Sequence, residues 1–299
     1  MKKACLGISL ISVLFFSCKE QIPSGLVLTQ LASNDTTYVT PTLETPQAKV
    51  VVIEELTGAR CTNCPKGTAI LKQFEEDNPG RVILTALHSG FLTTPPDGAA
   101  FDFRNADADA LRLFFNEGDP AKPGATFDRV KATTGNSAGF YFVSKGQTGS
   151  DWLDMLPTRL SKATPVNIHL TSQYSSADNK AEIKVKIAFT SDVTEKLGLT
   201  LYVLENGKKD IQEDTDLGEI PDYEFNHILR KIITPTGGEL ILDSLNTKVA
   251  GRVLEKTLTF TPTLTGVSGI NPDSCVVVGI IHKSGSSKEI LHAAEVHLK

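Results

Sequence analysis

Cys61-Thr62-Asn63-Cys64 is the one place where this chain sets two cysteines within reach of each other along the sequence. Thiols three positions apart serve as a redox pair, half of a metal site, or a small structural staple. Zinc takes four ligands, usually two such pairs or one pair with closely spaced histidines. There is no second Cys-x-x-Cys, and His88, His169, His227, His282, His292 and His297 are scattered. No metal and no cofactor are expected. A staple of this size would remove little denatured-state entropy, about 2 kcal/mol in the loop-closure account. The redox reading has a positive mechanism. The unsatisfied amides of a helix's first turn favour a thiolate at Cys61, with Arg60 adding positive charge. Pro65 suits that first turn because the amide hydrogen it lacks would be unsatisfied there anyway.

That mechanism depends on the flanking elements. Lys49–Leu56 is a continuous apolar run of the kind buried on both faces of a sheet. A helix is predicted over Thr62–Glu76, stopped by Asp77-Asn78-Pro79-Gly80, and a second buried strand over Arg81–His88. Strand, helix and strand make a βαβ unit with a parallel crossover. Asp97–Glu117 keeps near-helical apolar spacing and is predicted as a helical insertion. A strand over Ala125–Val130 and a helix over Asp151–Lys162, interrupted at Pro157, complete the unit. From Thr164 onward the texture changes. Val166, Ile168 and Leu170 alternate with polar residues, as do Ile183, Val185, Ile187 and Phe189, and later runs centre on Leu201, Leu258, Val278 and Ala293. Half-buried strands separated by turn residues predict an antiparallel β-sandwich. The expected fold is α/β plus all-β.

The chain ends bear on location. Lys2 and Lys3 precede an apolar run from Ala4 to Phe16, too short to span a bilayer but suited to a signal-peptide core. Ser17-Cys18 at its end resembles the lipobox of bacterial lipoproteins, which implies lipidation of Cys18 and anchoring to a membrane, against an ordinary secretory signal with an incidental cysteine. Residues 1–17 then form the signal and residues 18–47 a lipidated tether, with a short strand at Gly25–Thr29. Lys19-Glu20 resembles, on one acid, the surface-export signal of Bacteroidota lipoproteins. The full chain carries a formal charge of −5; without Lys2 and Lys3 it has 28 basic against 35 acidic residues, or −7. Such a balance argues against nucleic acid as a partner. Cys275, alone in the apolar run CVVVGII, reads as a buried small hydrophobe.

Val50–Lys66 and the later Pro123 loop resemble the thioredoxin superfamily. The resemblance implies a thioredoxin-like domain over residues 48–163, with a β-sandwich domain over 164–299. It implies a cis-proline opposite the cysteine pair, with Pro123 the candidate and Pro120 the runner-up, against an ordinary trans turn proline. It also implies a buried acid acting on the second cysteine's proton. Glu55, six residues before Cys61, has the matching offset; the alternative for Glu55 is a solvated acid at a strand end. The family's usual Trp is replaced by Arg60 and its Gly-Pro by Thr62-Asn63. A wider resemblance rests on VIEELTGARCTNCPKG, FDRV and YEFNHILRKII ahead of Gly237-Gly238. These segments are similar to the outer-membrane-protein-28-related lipoproteins of Bacteroidota, whose pattern includes Asn226, His227 and Arg230. His227 and Arg230 read either as a polar cluster at a domain junction or as ordinary cations on a surface strand.

Two functions remain open. One is a lipid-anchored envelope protein exchanging thiols and disulfides with protein substrates through Cys61, Cys64, Pro123 and Glu55. The other is a non-enzymatic lipoprotein, an adhesin or assembly module, whose cysteine pair is a passive disulfide.

Overall fold

The computed structural model describes residues 27–146, 150–263 and 270–299. The signal segment and Cys18 lie outside the described residues. The first part of the chain forms β1 (Val27–Val39), β2 (Val51–Thr57), α1 (Cys64–Asp77), β3 (Val82–His88), α2 (Ala106–Phe114), β4 (Gly124–Phe127), β5 (Val143–Ser144), α3 (Ser150–Leu153) and α4 (Met155–Leu160). Strands then dominate: β6 (Val166–Ser175), β7 (Lys180–Phe189), β8 (Leu197–Glu205), β9 (Lys208–Asp214), β10 (Gly218–Phe225), β11 (Ile228–Ile232), β12 (Glu239–Ile241), β13 (Arg252–Thr263), β14 (Cys275–Lys283) and β15 (Ile290–His297). The result is mostly β with few helices, spread over several sheets. No helix among the described residues is long and apolar enough to cross a membrane.

One sheet runs through both halves of the chain in the order β15-β14-β8-β11-β3-β2-β4-β5, with β12 also beside β8. The expected β2–α1–β3 crossover is present, and β2 and β3 pair in parallel from Val51↔Val82 to Thr57↔His88. Every residue of both strands is buried. Strand alternation therefore puts side chains into two different cores. Val51 and Ile53 meet Leu71 of α1 and Trp152, whereas Val52 and Leu56 meet Leu111 of α2, Tyr202 and Val278. Continuity with the later strands passes through β11, which is parallel to β3 at Ile228↔Ala86 and antiparallel to β8.

A second sheet, β1-β13-β7-β6, packs on the continuous one through Ile183, Val185, Leu199, Leu201, Val203 and Phe260. Within the stretch whose composition predicts a tether, Val27–Val39 pairs along nearly its whole length with β13. Its Thr and Tyr residues suit a strand, and the partner edge supplies what local periodicity lacks.

Two helices differ from expectation for local reasons. Asp97–Glu117 is helical only over Ala106–Phe114, where the Asn105 side chain caps the Ala108 amide at 2.9 Å. Upstream, the Asp210 carboxylate takes the Ala100 and Phe101 amides at 3.0 and 2.8 Å, so those groups are committed elsewhere. The Asp151–Lys162 segment breaks between α3 and α4 at Asp154. Pro157 lacks an amide hydrogen and its ring crowds the carbonyl four residues back, at Leu153.

Candidate functional site

The cysteine pair sits where β2 gives way to α1. Cys61 and Cys64 are joined as a disulfide. The Cys64 amide bonds the Cys61 carbonyl at 3.0 Å, Asn63 is the N-cap of α1, and Pro65 stands in its first turn. Gly58 permits the turn that precedes the pair, since a Cβ there would lie 2.2 Å from the Leu92 carbonyl oxygen. Both cysteines are buried, Cys61 at 2% and Cys64 at 1% exposure.

Glu55 lies beneath the helix on the α1 face of β2, sharing its parity with Val51 and Ile53. Thr68, one turn after Cys64 and on the same helix face, donates from its hydroxyl to the two Glu55 oxygens at 3.0 and 3.1 Å. Burial pushes the Glu55 carboxyl up to about 8, the Thr68 bond opposing it only in part. Burial therefore favours the neutral, protonated form of Glu55 near neutrality. Glu54 takes the opposite face and a different role. Arg129 reaches its Oε1 from Nη2 at 2.8 Å and the Tyr202 hydroxyl donates to it at 2.7 Å, all fully buried.

Pro123 lies against α1 at Gly67, and its peptide bond with Lys122 is cis. A Cβ on Gly67 would lie 2.7 Å from Pro123 Cβ and 3.3 Å from the Trp152 ring. Gly67 is therefore the position that lets the proline loop press on α1. A polar cavity of about 310 Å³ opens beside this contact, lined by Asn63, Lys66, Lys122, Pro123 and Lys145. The structure brings Cys61, Cys64, Glu55 and Pro123 around the start of α1. Pro120 is outside the cavities that adjoin the pair.

The β9–β10 hairpin is the part that sequence reasoning missed. Gln212 donates from Nε2 to the carbonyls of Gly58 and Cys61 at 3.3 and 3.1 Å. The Glu213 amide bonds Ala59 and the Thr215 amide bonds Thr62, at 2.8 and 3.0 Å. This edge covers Cys61. It also recruits Arg60, which reaches Glu213 at 2.9 Å, Asp97 at 3.0 Å and the Pro95 carbonyl. Arg60 is thereby committed to the hairpin and the following loop, and not to the sulfurs. The signal was an inverted period of two, with buried Asp210, Gln212 and Asp214 where strand reasoning looks for apolar residues.

His227 and Arg230 flank the junction without meeting. His227 adopts a left-handed φ of 55° and its carbonyl accepts from the Ala86 amide at 2.8 Å, while its side chain stands 3.5 Å from Glu75 of α1. Asn226 Oδ1 accepts from the Gly207 amide at 2.7 Å. Arg230 is buried 3.5 Å from Glu205. Cys275 is buried and its thiol is pushed up to about 12 by desolvation. Among the described residues no group of three or more His, Cys, Asp or Glu could hold a metal ion.

Residues 142–298, just over half the chain, match the family outer membrane protein Omp28. The chain belongs to the Omp28 family. It is accordingly an outer-membrane protein of the cell envelope. The matched span contains the β9–β10 hairpin and β11, so the Omp28 region supplies the cover over a cysteine pair that lies before it. No curated protein matches the sequence. Among solved structures, HBP35 of Porphyromonas gingivalis shares the fold at 16% identity, with a TM-score of 0.58 over 84% of this chain and 76% of that one. A domain of the outer membrane lipoprotein Omp28 from Porphyromonas gingivalis aligns at 14% identity and a TM-score of 0.32, over 46% of this chain and 89% of that one.

Proposed function

We propose that this Omp28-family protein is a lipid-anchored thiol–disulfide exchange protein of the outer membrane, carried by a thioredoxin-like unit over residues 48–163. Residues 164–299 continue its sheet through β11, β8, β14 and β15 and, together with β1, complete a β-sandwich; lipid on Cys18 holds the whole at the membrane. The observation that carries the reading is the placing of the Cys61–Cys64 disulfide at the start of α1. Pro123 pressed on Gly67 and neutral Glu55 beneath the helix support it.

In the reduced protein, the Cys61 thiolate attacks one sulfur of a substrate disulfide, forming a mixed disulfide and releasing the other substrate sulfur as a thiolate. Cys64 then gives up its proton and attacks the Cys61 sulfur. The second substrate thiol departs and the Cys61–Cys64 disulfide is restored. Two electrons pass from protein to substrate. The ionised form of Glu55, the minor one below about 8, takes the Cys64 proton and passes it to solvent. The lysine-lined cavity beside Pro123 offers the substrate chain a place to lie. Turnover requires the hairpin to lift from Cys61.

Trapping tests this reading. A Cys64→Ser protein expressed in its own envelope should accumulate mixed disulfides through Cys61, visible as adducts that a reductant removes. Absence of adducts, with no disulfide reductase activity in the purified protein, would sink it. A second reading, an assembly or adhesion module with a passive disulfide, is favoured by the burial of Cys61 under Gln212. Full function of a Cys61→Ser, Cys64→Ser protein in the cell would establish that one.

A further inference from the structure

Between α1, β3 and the end of β10 lies a cavity of about 360 Å³, within the ordinary range of small-molecule sites, about 300–1,000 Å³. Its walls include Leu84 and Ala86 of β3, Tyr223 and Phe225 of β10, and Ala69 at the exposed surface of α1. Glu55, Thr57 and His88 stand on the same face of the sheet and line it too. His88 is 2% exposed, and neither of its ring nitrogens has a hydrogen-bond partner. Buried polar atoms are rarely left so. The ring packs instead on Phe103 and Phe225, with centroids 5.1 and 5.7 Å away.

The polar side chains at the buried end of this cavity are uncharged near neutrality, while the charged Lys72 and Glu224 stand exposed at its rim. Desolvation pulls His88 down to about 3 and pushes Tyr223 up to about 12, and Glu55 keeps its proton for the reason already given. A neutral imidazole offers one donor and one acceptor, and a protonated carboxyl one donor with acceptor capacity to spare. At that buried end, beside His88 and Glu55, an ionic ligand would lose its hydration with no opposite charge next to it, since Lys72 and Glu224 lie at the exposed rim. An amide or lactam presents the complementary pair, a carbonyl acceptor beside an N–H donor. Tyr223 and Phe225 suit a flat ring attached to it.

We propose that this cavity is a binding site for a small uncharged aromatic or cyclic amide, its amide group meeting His88 and Glu55 and its ring lying against Tyr223 and Phe225. The site is distinct from the lysine-lined cavity at Pro123 and needs no turnover of the disulfide, although Cys64 forms part of its wall.

The test uses benzamide, benzoate and benzylamine against the whole protein, with calorimetry and the ring-nitrogen NMR signals of histidine as readouts. Benzamide should bind saturably, shift the His88 ring nitrogens, and bind at least roughly tenfold tighter than either charged analogue, since those bring an uncompensated charge. Ala69→Trp, a change at an exposed helix position that leaves folding intact, should block the mouth and abolish binding. His88→Leu should weaken it by removing the amide's partner. No saturable benzamide binding at millimolar concentration, equal binding of benzoate, or undiminished binding by Ala69→Trp would each overturn the proposal. Because the readout is binding, failure of the thiol–disulfide reading leaves it unaffected.

Discussion

Gln212 and Cys61 are joined by a hydrogen bond from the Gln212 side-chain amide to the Cys61 backbone carbonyl, at 3.1 Å. The same Nε2 also reaches the Gly58 and Glu213 carbonyls at 3.3 and 2.9 Å. One buried side chain thus fixes the hairpin on the loop that carries the disulfide. Gln212→Ala removes these bonds and strands buried carbonyls, at a cost of about 1–3 kcal/mol. With the hairpin loosened, reduction of Cys61–Cys64 by a phosphine should accelerate roughly tenfold, as expected for an opening made easier by about 1.4 kcal/mol. Stopped-flow or thiol-labelling kinetics would show it, and an unchanged rate would mean that the hairpin does not limit access.

Glu55 gives the protein a pH-dependent weakness. Its carboxyl is raised from 4.5 to about 8 by burial. Between those values the unfolded chain has released the proton while the folded chain still holds it, so stability falls as pH rises through that window. Glu55→Gln should match the parent near pH 4 and be the more stable protein at pH 8, by a few kcal/mol at about 1.4 kcal/mol per pKa unit. Urea denaturation at the two pH values measures this.

Glu54, Arg129 and Tyr202 tie the two halves of the chain across the sheet in a fully buried network. Arg129→Met leaves the Glu54 charge without its partner, which costs about 3–5 kcal/mol. Adding Glu54→Leu should restore most of that loss. A double variant as unstable as the single one would show that packing around Arg129, and not charge, sets the cost.

Gly67 is predicted to tolerate no larger side chain. Gly67→Ala places a methyl 2.7 Å from Pro123 and 3.3 Å from Trp152, an overpacking worth about 1–3 kcal/mol. Trp152 is the only tryptophan, so its fluorescence reports the displacement directly. Lys66→Ala, one residue away and half-exposed, should leave the spectrum unaltered.

The parts legible in the sequence are those whose burial is apolar and local. Lys49–Leu56 and Arg81–His88 read as buried strands, and β2 and β3 lie there with every position covered; the Cys-x-x-Cys between strand and helix pointed to the candidate site. The hairpin escaped because its buried residues are Asp210 and Gln212, spent on the backbone of distant loops, and Asp214, spent on the hairpin's own turn. Arg60 was misdirected for the same reason: its partner Glu213 belongs to that hairpin. His88 looked like one more scattered histidine, since only the register with Thr57 and the arrival of Phe225 make it a cavity wall. Long-range pairing leaves no local period to read.

β11 has a consequence for how the molecule comes into being. It lies between β3 and β8, so the outer edge of β3 stays bare until Ile228 arrives beside Ala86. A chain delivered amino-terminus first into the envelope presents its strand–helix–strand unit long before that residue emerges. During the interval the edge of β3 is open to any extended segment that meets it, the hazard that folded proteins bury or charge. The strand that closes it lies at Ile228–Ile232, so the sheet around the cysteine pair is complete only once the later half of the chain has folded onto the earlier one.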